Sequence, residues 1–149
     1  MNKKLTLTST PKILVLHLKR FTFSKATKNA KKSHKKVVYQ KYITIPYCPK
    51  LDQKEVSFQE YTLKGIVVHK GEKLSEGHYI AYVKNREITG DWARISDEVV
   101  WPSSTSKAMD QEAYMLFYER LRSTEVSSRD QNNKNGYSAN VQRRRRKNI

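Results

Sequence analysis

The sequence predicts a β-rich α+β fold whose main part is an antiparallel sheet. Apolar and polar residues alternate on both sides of residues 86–90, the two-residue period of a half-buried strand pair. Runs rich in Val, Ile, Leu, Tyr and Phe recur over residues 13–21, 42–45, 61–69 and 113–119. Prolines and glycines punctuate them, at Pro11, Pro46, Gly71 and Gly77.

Taken in order, Thr10 and Pro11 open the first strand, residues 13–21. Leu14, Leu16 and Leu18 line one face, and Ile13, Val15, His17 and Phe21 the other. With both faces covered, this strand is expected at the centre of a sheet, and His17 is read as a hydrogen-bonded core residue. Lys25 to Lys36 follows, with Lys25, Lys28, Lys31, Lys32, Lys35 and Lys36 around His34. Like charge at this density predicts a solvated loop. Residues 37–39 and 42–45 return to β composition, ended by Pro46, and residues 52–57 read as a polar loop. In the strand over residues 61–69, Gly65 marks a bulge or a close backbone approach, and His69 is read as structural. Polar residues 71–76 deliver Gly77 and His78 to the next strand. Residues 91–97 pair with it, 98–101 form a short strand, 102–110 a loop or helical turn, and 113–119 the last strand. From Ser123 onward the composition cannot bury enough apolar area to offset its ordering entropy. Residues 1–122 are therefore read as one domain and residues 123–149 as a disordered basic tail.

Composition narrows the function. One cysteine in 149 residues excludes a disulfide framework and paired-cysteine zinc sites, so no metal and no cofactor is expected. No apolar run approaches ~18 residues, and no apolar stretch of signal-peptide length precedes Pro11. A reduced, intracellular compartment is expected, nucleus or cytoplasm. The net charge of +16 is concentrated in the lysine-rich segment and in the run from Arg143 to Lys147. The latter has the composition of a nuclear localisation signal or a nucleic-acid contact.

Chemistry points to the pair of strands around residues 86–90. One opens on Gly77 and His78, and the other closes on Ser96 and Asp97. An imidazole facing an acid or hydroxyl is the base-and-orienter half of a nucleophilic triad. Side-chain parity puts His78, Ile80 and Tyr82 on one face and Ala93, Ile95 and Asp97 on one face. A symmetric hairpin sets Ile80 opposite Ile95 and His78 opposite Asp97, with Cβ atoms about 5 Å apart. A register slid by one residue substitutes Ser96. A reactive thiolate needs a helix N-terminus or a nearby cation, and the one thiol, Cys48, sits between Tyr47 and Pro49 at a strand end with no helix to sit on. It is read as structural.

Five blocks carry a resemblance. Gly77-His78-Tyr79-x-Ala81-Tyr82-Val83, Trp92-x-x-Ile95-Ser96-Asp97 and residues 112–120 resemble the histidine-box half of the ubiquitin-specific proteases. Residues 11–21 and Tyr61-x-Leu63-x-Gly65-Ile66-Val67-Val68-His69-x-Gly71 resemble the family's preceding strands, in the family's order. The resemblance implies an antiparallel sheet like the palm half of a papain-like cysteine protease fold, truncated at its N-terminal side. It implies His78 as catalytic base, with Ser96 aligned to the family's usual acid while the parity argument favours Asp97. Gly77 and Tyr79 are implied beside the channel for the ubiquitin tail, and Glu76 and Glu72 as acidic contacts to that basic tail. The family's cysteine lies far upstream of these blocks, so a separate cysteine-bearing segment is implied.

Three functions are thereby expected in order: the C-terminal half of a deubiquitinating cysteine protease, inactive by itself; a ubiquitin-binding fragment or pseudo-protease; and a basic nucleic-acid binder acting through Arg143 to Lys147.

Overall fold

In a computed structural model, residues 5–24, 29–49, 56–73, 75–85 and 91–122 are described. They form β1 (Ile13–His17), β2 (Phe21–Ser24), β3 (Asn29–Lys32), β4 (Tyr42–Tyr47), β5 (Ser57–Lys70), β6 (His78–Lys84), β7 (Trp92–Ser96), β8 (Val99–Ser103), α1 (Thr105–Met109) and β9 (Ala113–Arg120). The expected disordered tail, the Arg143 to Lys147 run and most of the 52–57 loop lie outside the described residues.

The main sheet is antiparallel, in the order β1-β9-β5-β6-β7-β8. Its axis is β5, whose 14 residues serve three neighbours. β4 pairs with its first half, β6 with its second half, and β9 with the opposite side. The ladder with β9 shifts register between Leu63 and Gly65, where Gly65 lies against Phe117, so Gly65 is the bulge its type suggested. The shift changes the parity of the buried set. Tyr61 and Leu63 precede it, Ile66 and Val68 follow it, and all four are fully buried. With Leu116, Tyr118, Ile80, Tyr82 and Trp92 they make the core, flanked by Leu14, Leu16 and Ile43.

Tyr39 and the helix α1 pack against this core. Ser104 caps α1 by accepting from the Lys107 amide, and Ala108 of α1 is fully buried. Tyr39 donates to the carbonyl of either Ala108 or Gln111, each 3.0 Å away, and Tyr118 donates to Gln40 O at 2.7 Å. Burial pushes the Tyr39 phenol up to about 12, which keeps it a neutral donor.

Several expectations are corrected here. β1 ends at His17 and pairs with β9 alone, so it is an edge strand rather than a central one; Ile13 and Val15 are close to half exposed. The chain breaks away because Arg20 turns inward, its Nε donating to Ala113 O and its Nη1 to Ser33 O and Lys35 O. His17 is exposed and meets Tyr114 edge to face, so it is not a core histidine. Part of the lysine-rich segment is the second strand of a two-stranded sheet, β2 with β3, and residues 37–39 form no strand. β4 runs through Pro46, tolerated because β4 is an edge. A third edge, β8, contains Pro102 and an exposed Val99, Val100 and Trp101, with the Arg94 guanidinium over the Trp101 ring.

Leu116 sits where β9 meets β5 in the sealed part of the core. Leu116→Ala is expected to lower unfolding free energy by about 2–5 kcal/mol. The check is urea denaturation, with the midpoint falling and the slope unchanged.

Candidate active site

The site is made where β6 begins and β7 ends. The observed register sets Ala81 opposite Ile95 and Tyr82 opposite Arg94, one residue away from the symmetric hairpin expected from the sequence. Ile80 therefore comes level with Ser96, and His78, two residues further along the same face, is diagonal to Ser96. The His78 Nε2 lies 2.6 Å from Ser96 Oγ. Asp97 is displaced from the facing position. It is the first residue of the two-residue turn from β7 to β8, with φ 49°, a conformation aspartate tolerates. Its carboxylate is largely exposed, yet its Oδ2 stays 3.7 Å from the same His78 nitrogen. Both candidates thus converge on Nε2, with the hydroxyl in hydrogen-bond contact and the carboxylate just outside it. With Ser96 accepting from Nε2–H, the Nδ1 lone pair is the basic edge of the ring. Among the described residues, Nδ1 of His78 has no hydrogen-bond partner.

Gly77 is required by the close packing beneath it. A β-carbon there would collide with Nε2 of His69 and stand 2.6 Å from Lys70 O. His69 is buried, 2% exposed, and its ring meets Phe21 and Tyr79 edge on. Burial first, and the charge of Lys32 second, hold its pKa below the usual histidine value. Tyr79 follows His78 in the strand and so points to the opposite face, half exposed against His69 and Tyr114. Glu76 pairs with Lys73 at 3.1 Å, and Glu72 with His34 at 2.9 Å. The structure therefore brings together His78, Ser96, Asp97 and Gly77, while Tyr79 flanks them and Glu76 and Glu72 sit on the preceding loop.

Two supporting side chains went unread in the sequence. Lys32, 7% exposed, donates to His69 O at 2.8 Å and to Gly71 O at 2.7 Å. His34 joins Glu72 on one nitrogen to Glu112 on the other. A cavity of about 560 Å³ lies elsewhere, bordered by Arg20, Val37, Tyr39, Met109 and Gln111.

Cys48 cannot serve His78. It follows Tyr47, which pairs with Ser57 at the start of β5, whereas His78 pairs with Lys70 at its end. At ~3.3 Å per residue the length of β5 separates them by on the order of 40 Å.

Comparison with known proteins identifies the surroundings of this geometry. The family model described as ubiquitin carboxyl-terminal hydrolase matches residues 2–118. Human ubiquitin carboxyl-terminal hydrolase 17-like protein 6 is 38% identical over 117 residues, covering 78% of this chain and 27% of its own length. The probable ubiquitin carboxyl-terminal hydrolase 16 of Schizosaccharomyces pombe is 32% identical over 146 residues, 98% of this chain and 30% of its own. Among solved structures, the SAGA Ubp8/Sgf11/Sus1/Sgf73 DUB module bound to ubiquitin aldehyde superimposes with TM-score 0.64 at 32% identity, over 75% of this chain and 25% of that one. A yeast SAGA DUB module carrying an Sgf73 mutation gives 0.63 at 33% identity, over 75% and 24%. The chain thus spans about a quarter to a third of these relatives.

The His34 bridge has a defined pH window. The hydrogen bonds to Glu72 and then Glu112 raise the His34 pKa above its ordinary 6.5, so its contribution is complete below 6.5 and is lost as pH rises through the raised value. The hydrogen bond to His34 lowers the Glu72 pKa below 4.5, so that contribution is complete above 4.5 and is lost as pH falls through the lowered value. The thermal midpoint of His34→Ala should therefore differ most from wild type between those two ordinary values, with the difference shrinking beyond either end of a pH series. Gly77→Ala should separate His78 from Ser96, seen as loss of a slowly exchanging His78 Nε2 proton by NMR.

Proposed function

The chain belongs to the ubiquitin carboxyl-terminal hydrolase family, and we propose that it forms the histidine-bearing part of a deubiquitinating cysteine protease. The reaction is hydrolysis of the isopeptide bond after the terminal glycine of ubiquitin. The observation that carries this reading is the His78 ring, held at Nε2 by Ser96 with Nδ1 turned to no protein partner among the described residues.

In this reading Nδ1 of His78 takes the proton of a cysteine thiol and later gives it to the leaving amine. Ser96 accepts from Nε2–H and fixes the tautomer. Asp97, charged but exposed, places a negative charge near the imidazolium as it forms. A neutral hydroxyl at contact and a solvent-screened carboxylate at 3.7 Å divide between them the work one buried carboxylate does elsewhere. Gly77 lets the strand lie close on His69 beside the channel for the ubiquitin tail, Tyr79 flanks that channel, and Glu76 and Glu72 face the basic tail of ubiquitin. The thiol and the oxyanion donors come from another segment of a longer protein, because the single cysteine of this chain is at the far end of β5. The setting is intracellular, nuclear or cytoplasmic.

A second reading, ubiquitin binding without cleavage, is favoured by that same remote cysteine. The two separate on one assay. The chain alone is expected to release no fluorophore from a ubiquitin–fluorophore conjugate. Combined with a cysteine-bearing segment of a relative it is expected to turn over, with His78→Ala losing about 10²–10⁴-fold in kcat. In the same assay Ser96→Ala should cost more than Asp97→Asn. Ubiquitin binding with no turnover in any combination leaves the second reading.

A further inference from the structure

The loop leading into His78 is fixed by a buried charge from another part of the chain. Lys32 ends β3, and its Nζ reaches across to the carbonyls of His69 and Gly71, where β5 gives way to the loop. Among the described residues no carboxylate stands within ion-pair distance of it. Burying an ammonium against carbonyls alone costs more than burying an apolar side chain of equal length. Plain filling of the space therefore does not account for it; holding two backbone carbonyls in place does.

Those carbonyls connect directly to the catalytic strand. A β-carbon on Gly71 would lie 2.9 Å from Gly77 Cα and 2.9 Å from Glu76 O, so the two ends of the loop pack backbone to backbone. Gly77 in turn rests on the ring of His69, and the next residue is His78. Lys32 is itself anchored: the adjacent Ser33 amide donates to Arg20 O at 2.6 Å, and the Arg20 guanidinium returns bonds to Ser33 O and Lys35 O while holding Ala113 O of β9. His34 adds a second tie on the same loop, through Glu72, and a third to Glu112.

We propose that Lys32 is a positioning residue for His78, acting through Gly71 and Gly77 and reinforced by the His34–Glu72 contact. It touches neither the imidazole nor a substrate; it fixes the backbone from which the imidazole projects toward Ser96. The proposal rests on the reading of His78 as the base, but its test does not need turnover.

The experiment is NMR of the whole chain, following tautomer and proton exchange of its four imidazoles. In wild type His78 is expected as the Nε2–H tautomer with a slowly exchanging proton. Lys32→Met should speed that exchange at least tenfold and mix the tautomers, Lys32→Arg should restore it in part, and Leu116→Ala, destabilised in the distant core, should leave it unchanged. A folded Lys32→Met with wild-type His78 signals overturns the proposal. If Lys32→Met does not fold, His34→Ala decides, since its side chain is exposed: faster amide exchange at Gly77 and His78 supports the proposal, and unchanged exchange overturns it. A His78 that responds to Lys32 but yields no turnover when a cysteine-bearing segment is added sinks the catalytic reading and leaves the positioning one standing.

Discussion

The molecule depends on a change of parity inside a single strand. A strand of alternating side chains sends only every second residue to a given face, and β5 must send Tyr61 and Leu63, then Ile66 and Val68, into the same core. The irregularity at Lys64 and Gly65 makes both sets face inward. Without it one set would turn to the other face of the sheet. A second shift, between Val67 and Val68, leaves Tyr114 outside the ladder and free to pack with His17, Phe21, His69 and Tyr79. The aromatic cluster beneath Gly77 is thus a by-product of the way β5 is kept in the core.

On that platform the His78–Ser96 contact is made at strand ends rather than at strand centres. His78 is the first residue of β6 and Ser96 the last of β7. At these positions a side chain can be half exposed and still be aimed by a ladder that continues behind it. Ser96 lies in the ladder, paired with Val99. Asp97 is in the turn, and its charge is screened by water.

Much of this was readable in advance, and the failures have physical causes. The strands over β5, β6, β7 and β9 announce themselves through β-branched and aromatic runs, Gly65 as a bulge, and the approach of His78 to Ser96 and Asp97 through strand parity. The β6–β7 register lies one residue from that of a symmetric hairpin, which the composition of residues 86–90 does not specify. The edge position of β1 was hidden because Ile13 and Val15 look like core residues and are left close to half exposed. The burial of Lys32 had no signal at all: in a run of lysines, nothing local distinguishes the one that turns inward from those that stay in water. Val37 and Val38 misled in the opposite sense, since Val38 has β composition yet is 85% exposed.

The prolines at the rims of the main sheet have a consequence for how the molecule behaves in company. β4 and β8 are both rims, and each contains a proline, Pro46 and Pro102. An incoming extended chain seeks a row of N–H and C=O groups to zip onto, and each proline removes one donor from that row. The exposed Val99, Val100 and Trp101 would otherwise make β8 an adhesive border, and Arg94 over the indole adds charge to it. The sheet carries its own stop signals, so that growth by strand addition, the route from a folded sheet to a fibril, is discouraged at two of its borders.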